Sequence, residues 1–133
     1  MPHPGIFRLL SDGTVDTDFA AITLQFDSPN FGNGLGTGPA VQSDGKIIIA
    51  GDFDGINGVS VPAVARLNAD GTLDTTFNPS GFTLLNSGRL TRGIGIQTDG
   101  KILLAGTFLL NGQTDSRTAV PLVPINTDGS LDD

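Results

Sequence analysis

The segment DGKIIIAGDF at residues 44–53 returns later in the chain as DGKILLAGTF at residues 99–108, 55 residues further on (99 − 44). Each copy carries three apolar residues in a row, at 47–49 and at 102–104. In an extended chain such a run is apolar on both faces, so the strand has to be covered on both sides. The repeated stretch therefore predicts two buried β-strands in sheets that stack face to face.

A second phrase repeats with a longer period. RLLSDGTVDTDF at residues 8–19 returns as RLNADGTLDTTF at 66–77, and PINTDGSLDD at 124–133 begins a third copy, each 58 residues after the last (66 − 8 and 124 − 66). A fixed spacing of this kind is typical of repeat architectures. The sequence predicts a single repeat domain over residues 1–133, with a partial unit at 1–19 and repeats at 20–77 and 78–133.

The composition favours strands and turns. All 14 acidic residues are Asp, Lys occurs only at Lys46 and Lys101, and Gly occurs 19 times. Glu and Lys are what exposed helix positions normally carry, whereas Asp and Gly are turn residues. The predicted fold class is all-β, with β-propeller-like antiparallel blades or meanders in two full repeats plus partial units, completed by oligomerisation.

Asp-Gly and Asn-Gly pairs mark the turns of each unit, since Gly adopts the positive φ that a tight hairpin needs. Pairs of this kind stand at Asp12–Gly13, Asp44–Gly45, Asp70–Gly71, Asp99–Gly100 and Asp128–Gly129, and at Asn57–Gly58 and Asn111–Gly112. Because the aspartates recur with the turns, they are interpreted as turn residues.

Arg and Phe also recur at fixed places in the phrases. Arg8 and Arg66 precede the turns, and their guanidinium groups are expected to bridge turn aspartates or strand-end carbonyls. A phenylalanine ends each phrase, and the four are expected to anchor the core: Phe19, Phe53, Phe77 and Phe108.

The phrases VQSDGKIIIAGDF (41–53) and VARLNADGTLDTTFN (64–78) resemble the delta-60 repeat, a bacterial β-propeller-like repeat found in tandem in large surface proteins and in some phage proteins. The resemblance covers nearly all of residues 34–133 and the segment 5–19. It implies propeller-type blades and a scaffolding or adhesive role, with no catalytic residues to carry over. Pro124 departs from the pattern, because it stands where Arg8 and Arg66 stand in the other copies.

Several function classes are disfavoured. The net charge is −7 and the seven basic residues are scattered, so no basic stripe for nucleic acid exists. No apolar run approaches the roughly 18 residues of a membrane span. There is no Cys, His3 is the only imidazole, and no Gly-x-Ser-x-Gly elbow occurs. An enzyme, a cofactor, a nucleic-acid partner and a membrane partner are therefore not expected.

One candidate metal site remains. Asp52, Asp54 and Asn57 lie close together in DFDGING (52–58), and Ca²⁺ prefers several oxygen ligands on a short segment. Thr107 and Leu109 replace the two aspartates in the second copy. A calcium site shared by all repeats is thus disfavoured, and a single site at this loop stays open.

Two units are too few to close a propeller, which needs roughly four to eight blades. The chain is therefore expected to work as a homo-oligomer, with a trimer of six blades as the simplest closed case. The alternative is a fragment of a longer chain or a small two-sheet sandwich whose faces are capped by loops. The expected function is structural: a small phage virion component, such as a capsid decoration protein or a tail or fibre element, that contacts itself and other virion proteins. The alternative is a bacterial cell-surface or secreted adhesion module that contacts other surface proteins and binds glycan or calcium.

Overall fold

The structure is a computed structural model that describes residues 3–26, 34–61, 63–84 and 91–133. These residues contain no α-helix and one short 3-10 turn, Ser116–Thr118, so none of their helical segments has the length and apolar character needed to cross a bilayer. They form twelve strands: β1 (His3–Ile6), β2 (Ile22–Gln25), β3 (Gly34–Leu35), β4 (Ala40–Val41), β5 (Ile47–Asp52), β6 (Gly55–Ile56), β7 (Val59–Ser60), β8 (Val64–Leu67), β9 (Phe82–Leu84), β10 (Gly93–Ile96), β11 (Ile102–Leu110) and β12 (Val120–Ile125).

The strands form three four-stranded sheets, and every strand pairing in them is antiparallel. The first sheet has the order β1-β2-β6-β7. In the second, β5 is flanked by β8 on one edge and by β4 and β3 on the other. The third repeats this plan, with β11 between β12 and the pair β10 and β9. The predicted all-β, antiparallel fold class is confirmed, and none of these sheets closes into a barrel.

The central sheet is buried on both faces, as the three isoleucines predict. Ile48 and Ala50 of β5 belong to a core cluster with Ile102 and Leu104 of the third sheet. Ile49, the residue between them, belongs to a second cluster that includes residues of the first sheet. Side chains alternate between the two faces of a strand. The second sheet, which contains β5 and β8, therefore separates two hydrophobic cores and contributes side chains to both.

The third sheet departs from the prediction for residues 102–104. Ile102 and Leu104 are fully buried, but Leu103 is only partly buried, because its face of the sheet has no further sheet packed on it. β11 also runs on without a break where the first copy is divided into β5 and β6. Asn111 lies 54 residues after Asn57, one fewer than the 55 that separate Phe108 from Phe53, so the second copy lacks a residue at this break.

The turns have the backbone that their residues predict. Asn57 and Gly58 have φ of 49° and 85° and connect β6 to β7 as a two-residue hairpin, and Asn111 and Gly112 repeat the pattern with 48° and 77°. Positive φ at both central residues gives the twist that matches two paired strands. The glycines of the five predicted Asp-Gly turns also have positive φ: Gly13, Gly45, Gly71, Gly100 and Gly129. Gly55, which follows Asp54, lies in β6 and does not.

Candidate functional site

The residues that recur in sequence meet where one unit joins the next. Arg8 donates from Nε to Asp16 Oδ2 at 2.7 Å and from Nη1 to the carbonyl oxygen of Ala69, in the following unit, at 2.8 Å. Its guanidinium also lies over the Phe19 ring, 4.9 Å from the centroid. One side chain thus ties its own phrase together and holds the turn of the next unit.

Arg66 repeats this geometry one period later. Its Nε lies 2.7 Å from Asp74 Oδ2, its Nη1 lies 2.6 Å from the carbonyl oxygen of Thr127, and its guanidinium is 4.8 Å from the Phe77 centroid. Arg66 is buried, whereas the side chain of Arg8 is about half exposed. We call each such arginine with its carboxylate, its phenylalanine and the carbonyl of the next unit a latch.

A lysine joins the Arg66 latch, and an equivalent lysine pair is present in the third copy, which has no latch arginine. Lys46 Nζ lies 2.8 Å from Asp74, and Lys101 Nζ lies 2.8 Å from Asp132, which is Asp74's equivalent in the third copy. Burial opposes ionisation of Asp74, but hydrogen bonds from Lys46, Thr76 and Arg66 outweigh it and hold the pKa of that carboxyl well below its ordinary value. The ion pair with Asp132 likewise raises the pKa of Lys101.

Sequence reasoning missed these lysine pairs, although a signal was present. The only two lysines of the chain stand at equivalent positions, directly after an Asp-Gly turn. The arginines were expected to bind the turn aspartates, but they bind Asp16 and Asp74, which follow the turns. The turn aspartates instead accept hydrogen bonds from residues of their own turns.

The turn aspartates bond to their own backbone. Oδ1 of Asp12 accepts hydrogen bonds from the backbone N–H and the hydroxyl of Thr14. Asp70 accepts the same pair of bonds from Thr72, and Asp128 accepts them from Ser130. These bonds lower the pKa of all three carboxyls. Asp44 and Asp99 accept a single bond each, from the backbone N–H groups of the two lysines.

The turns at Gly71 and Gly129 each dock on the residues that join their unit to the unit before it. The backbone N–H of Ala20 donates to the carbonyl of Asp70 at 2.7 Å, and a Cβ built on Gly71 would lie only 2.8 Å from the carbonyl oxygen of Ala20. Asn78 and Gly129 repeat the arrangement, with an N–H to Asp128 at 2.8 Å. Nothing lies within 4 Å of such a Cβ on Gly13, the equivalent residue of the first unit.

The phenylalanines that end the phrases pack between the sheets. Phe19 and Phe53 belong to the cluster between the first and second sheets, and Phe77 and Phe108 belong to the cluster between the second and third. All four are buried. The repeated motif residues of this chain, charged and aromatic alike, therefore face a neighbouring unit or their own backbone.

The calcium candidate has a different environment. Asn57 Oδ1 accepts a hydrogen bond from the N–H of Thr23 at 2.8 Å, which occupies this oxygen in the contact between β2 and the hairpin. Burial, with a smaller effect of the nearby Asp54 carboxylate, raises the pKa of Asp52. Both aspartates line a cleft of about 430 Å³ beside Phe77 and Phe82. Within the described ranges, no three His, Cys, Asp or Glu side chains are grouped to hold a metal.

A family model described as a domain of unknown function, DUF5122, beta-propeller, matches residues 2–19, 42–77 and 97–119. Its three segments contain both copies of the first phrase, two copies of the second phrase and both latch arginines. No curated protein and no solved structure matches the chain.

Proposed function

The chain belongs to the DUF5122 beta-propeller family, and from this premise we propose that it is a non-catalytic structural protein that works by assembly. The observation that carries the proposal is the use of the recurring side chains. Arg66 and Asp74, with Lys46, are committed to one another and to the next unit. Polar groups that join one unit to the next hold the chain in one shape, which is what a structural role requires.

Within this class we propose a small phage virion component, such as a capsid decoration protein or a tail or fibre element, located in the virion and working as a homo-oligomer, in the simplest case a trimer. Its partners are copies of itself and other virion proteins. The resemblance of the repeated phrases to the delta-60 repeat supports this choice, since that repeat occurs in some phage proteins. Short chains that work as symmetric oligomers are also typical of virion decoration.

The alternative is a bacterial cell-surface or secreted adhesion module, because the same repeat is found in tandem in large surface proteins. The cleft lined by Asp52 and Asp54 is where such a module would hold calcium or a glycan. Calorimetric titration with Ca²⁺ tests this directly: binding heat that Asp52→Asn abolishes favours the alternative, and the absence of heat removes the calcium part of it.

Fractionation of the source culture tests the location. Virions, cell envelopes, soluble cell contents and culture supernatant are separated, and the chain is quantified in each by mass spectrometry. A fixed copy number per virion supports the virion proposal, and enrichment in the envelope or the supernatant supports the adhesion module. Confinement to the soluble cell contents would overturn both proposals.

A further inference from the structure

The three sheets lie one after another and leave two outer faces, a front face in the first, partial unit and a back face on the third sheet. We propose that these two faces are the two halves of one interface, through which one copy of the chain docks head to tail on another. The inference rests on the proposed assembly function and specifies its contact surface and its partner. The partner is a second copy of the same chain, because the repeat contains this interface internally, with both halves in contact.

The front face belongs to the first, partial unit. Phe7, Leu9 and Val15 expose 67%, 54% and 56% of their surface. The residues 58 positions later, Ala65 and Leu67, are buried in the core cluster between the first and second sheets. In the third copy, Val123 and Ile125 are likewise fully buried. The same positions are thus buried in both internal copies, under the first sheet in one and under the second sheet in the other, and they are exposed at the front.

The back face belongs to the third sheet. Leu103 and Ala105 on β11 are partly buried, and Leu122 on β12 is 51% exposed. Their equivalents in the second sheet are all fully buried against the third sheet: Ile48, Ala50 and Val64. Apolar positions that the second sheet buries completely are therefore only partly covered at the back.

The two faces fit because the internal joint shows how they pair. In that joint, the face containing Ile48 and Val64 packs on the face containing Val123 and Ile125. Leu122 is the equivalent of Val64, and Leu9 is the equivalent of Ile125. A back face placed on the front face of another copy thus brings apolar residues together in the arrangement that the chain already uses.

The chemistry of the outer faces also suits a contact between separate chains. Pro124 stands at the latch position, so docking buries no guanidinium at this point of the back face. Phe7 replaces Ala65 and Val123 and offers more apolar area. The contact is therefore held by apolar burial, and its affinity should depend little on salt.

Docking of unlike faces is heterologous, and it makes closed rings or open filaments according to the rotation between copies. This gives a sharp test with two single-face variants, Leu9→Asp at the front and Leu122→Asp at the back. Val59→Asp is the matched control, since Val59 is 47% exposed on the hairpin of the first sheet and lies on neither face. Circular dichroism and a melting curve check that each variant is folded, and Phe7→Asp substitutes for Leu9→Asp if that variant is not.

Light scattering and sedimentation over a micromolar concentration series measure the masses. We expect the wild type and Val59→Asp to form oligomers at low and high salt, and each face variant alone to be a monomer. An equimolar mixture of the two variants should stop at the mass of two chains, because each contributes one intact face. A monomeric wild type, oligomers that survive both substitutions, or a mixture that stays monomeric would overturn the inference. None of these results bears on the fractionation test, so the location in the virion stands or fails independently.

Discussion

The latch can be tested by comparing its two copies, because Arg8 and Arg66 make the same contacts at different depths. We expect Arg66→Met to destabilise the chain far more than Arg8→Met. Methionine retains most of the apolar stem, so the comparison isolates the guanidinium. Arg66 and Asp74 are both buried, with side chains 8% and 5% exposed, whereas the Arg8 side chain is 46% exposed.

The expected magnitudes follow from burial. Removing one partner of a buried ion pair costs roughly 3–5 kcal/mol. Lys46 remains to neutralise Asp74, so we expect the lower end, about 3 kcal/mol, for Arg66→Met. In the other pair Asp16 is buried, but Arg8 is half exposed, so water can take its place beside the carboxylate and the pair should contribute close to the roughly 0–1 kcal/mol of an exposed pair. A cation–π contact at an exposed site adds at most about 1 kcal/mol, so Arg8→Met should lower the free energy of unfolding by about 1 kcal/mol.

Urea unfolding and thermal melting measure the difference. At about 4 °C per kcal/mol for a chain of this size, Arg66→Met should lower Tm by roughly 10 °C and Arg8→Met by roughly 4 °C. Arg66→Lys should fall between the wild type and Arg66→Met, since lysine keeps the charge but has no planar fork to reach both acceptors. Equal losses for the two methionine variants, or a larger loss for Arg8→Met, would refute the reasoning.

Three further outcomes are expected. Gly71→Ala should lower the free energy of unfolding by about 3 kcal/mol or more, because the new Cβ would crowd the Ala20 carbonyl and the residue would keep a φ of +87°. Gly13→Ala meets no neighbour and should lose only the roughly 1–2 kcal/mol that a positive φ costs an alanine. Equal shifts of the urea midpoint for the two variants would contradict the contact with Ala20. Because the pKa of Asp74 is lowered in the folded chain, its ionised carboxylate stabilises the fold at neutral pH, and this stabilisation is lost as the pH falls below about 5. Asp74→Asn should therefore be less stable than the wild type at neutral pH and should lose less stability on acidification. The same loss of stability in acid for both proteins, measured by urea unfolding, would contradict this prediction. Phe108→Ala should cost roughly 3–5 kcal/mol by urea unfolding, because the ring is fully buried, and a loss under about 1 kcal/mol would show that it is not a core anchor.

Local chemistry explains how much of the fold could be predicted. The Asp-Gly and Asn-Gly turns are encoded within a few residues, and the apolar run at 47–49 correctly predicts that both faces of its strand are covered. The apolar run at 102–104 predicts the same for its strand, yet Leu103 is only partly buried. Whether a face is covered depends on a neighbouring sheet, which the strand's own sequence does not specify.

The latch shows the same limit at the level of side chains. The recurrence of Arg8 and Arg66 predicts a structural role, but every residue has a carbonyl, so the sequence cannot single out Ala69 or Thr127 as the acceptor. The lysine pairs were more accessible to sequence reasoning. Lys46 and Lys101 each stand directly after an Asp-Gly turn, although the partner aspartate lies 28 residues further on in one copy and 31 in the other.

Both latches span the same distance along the chain, since each arginine reaches a carbonyl 61 residues ahead. Unequal crossing-over between equivalent points of two copies adds or removes one complete period. Each remaining arginine then still meets the turn of a following unit, because the donor and the acceptor are shifted together. A gene with this repeat can therefore lengthen or shorten its product in whole units, and the newly fused junction needs no compensating substitution.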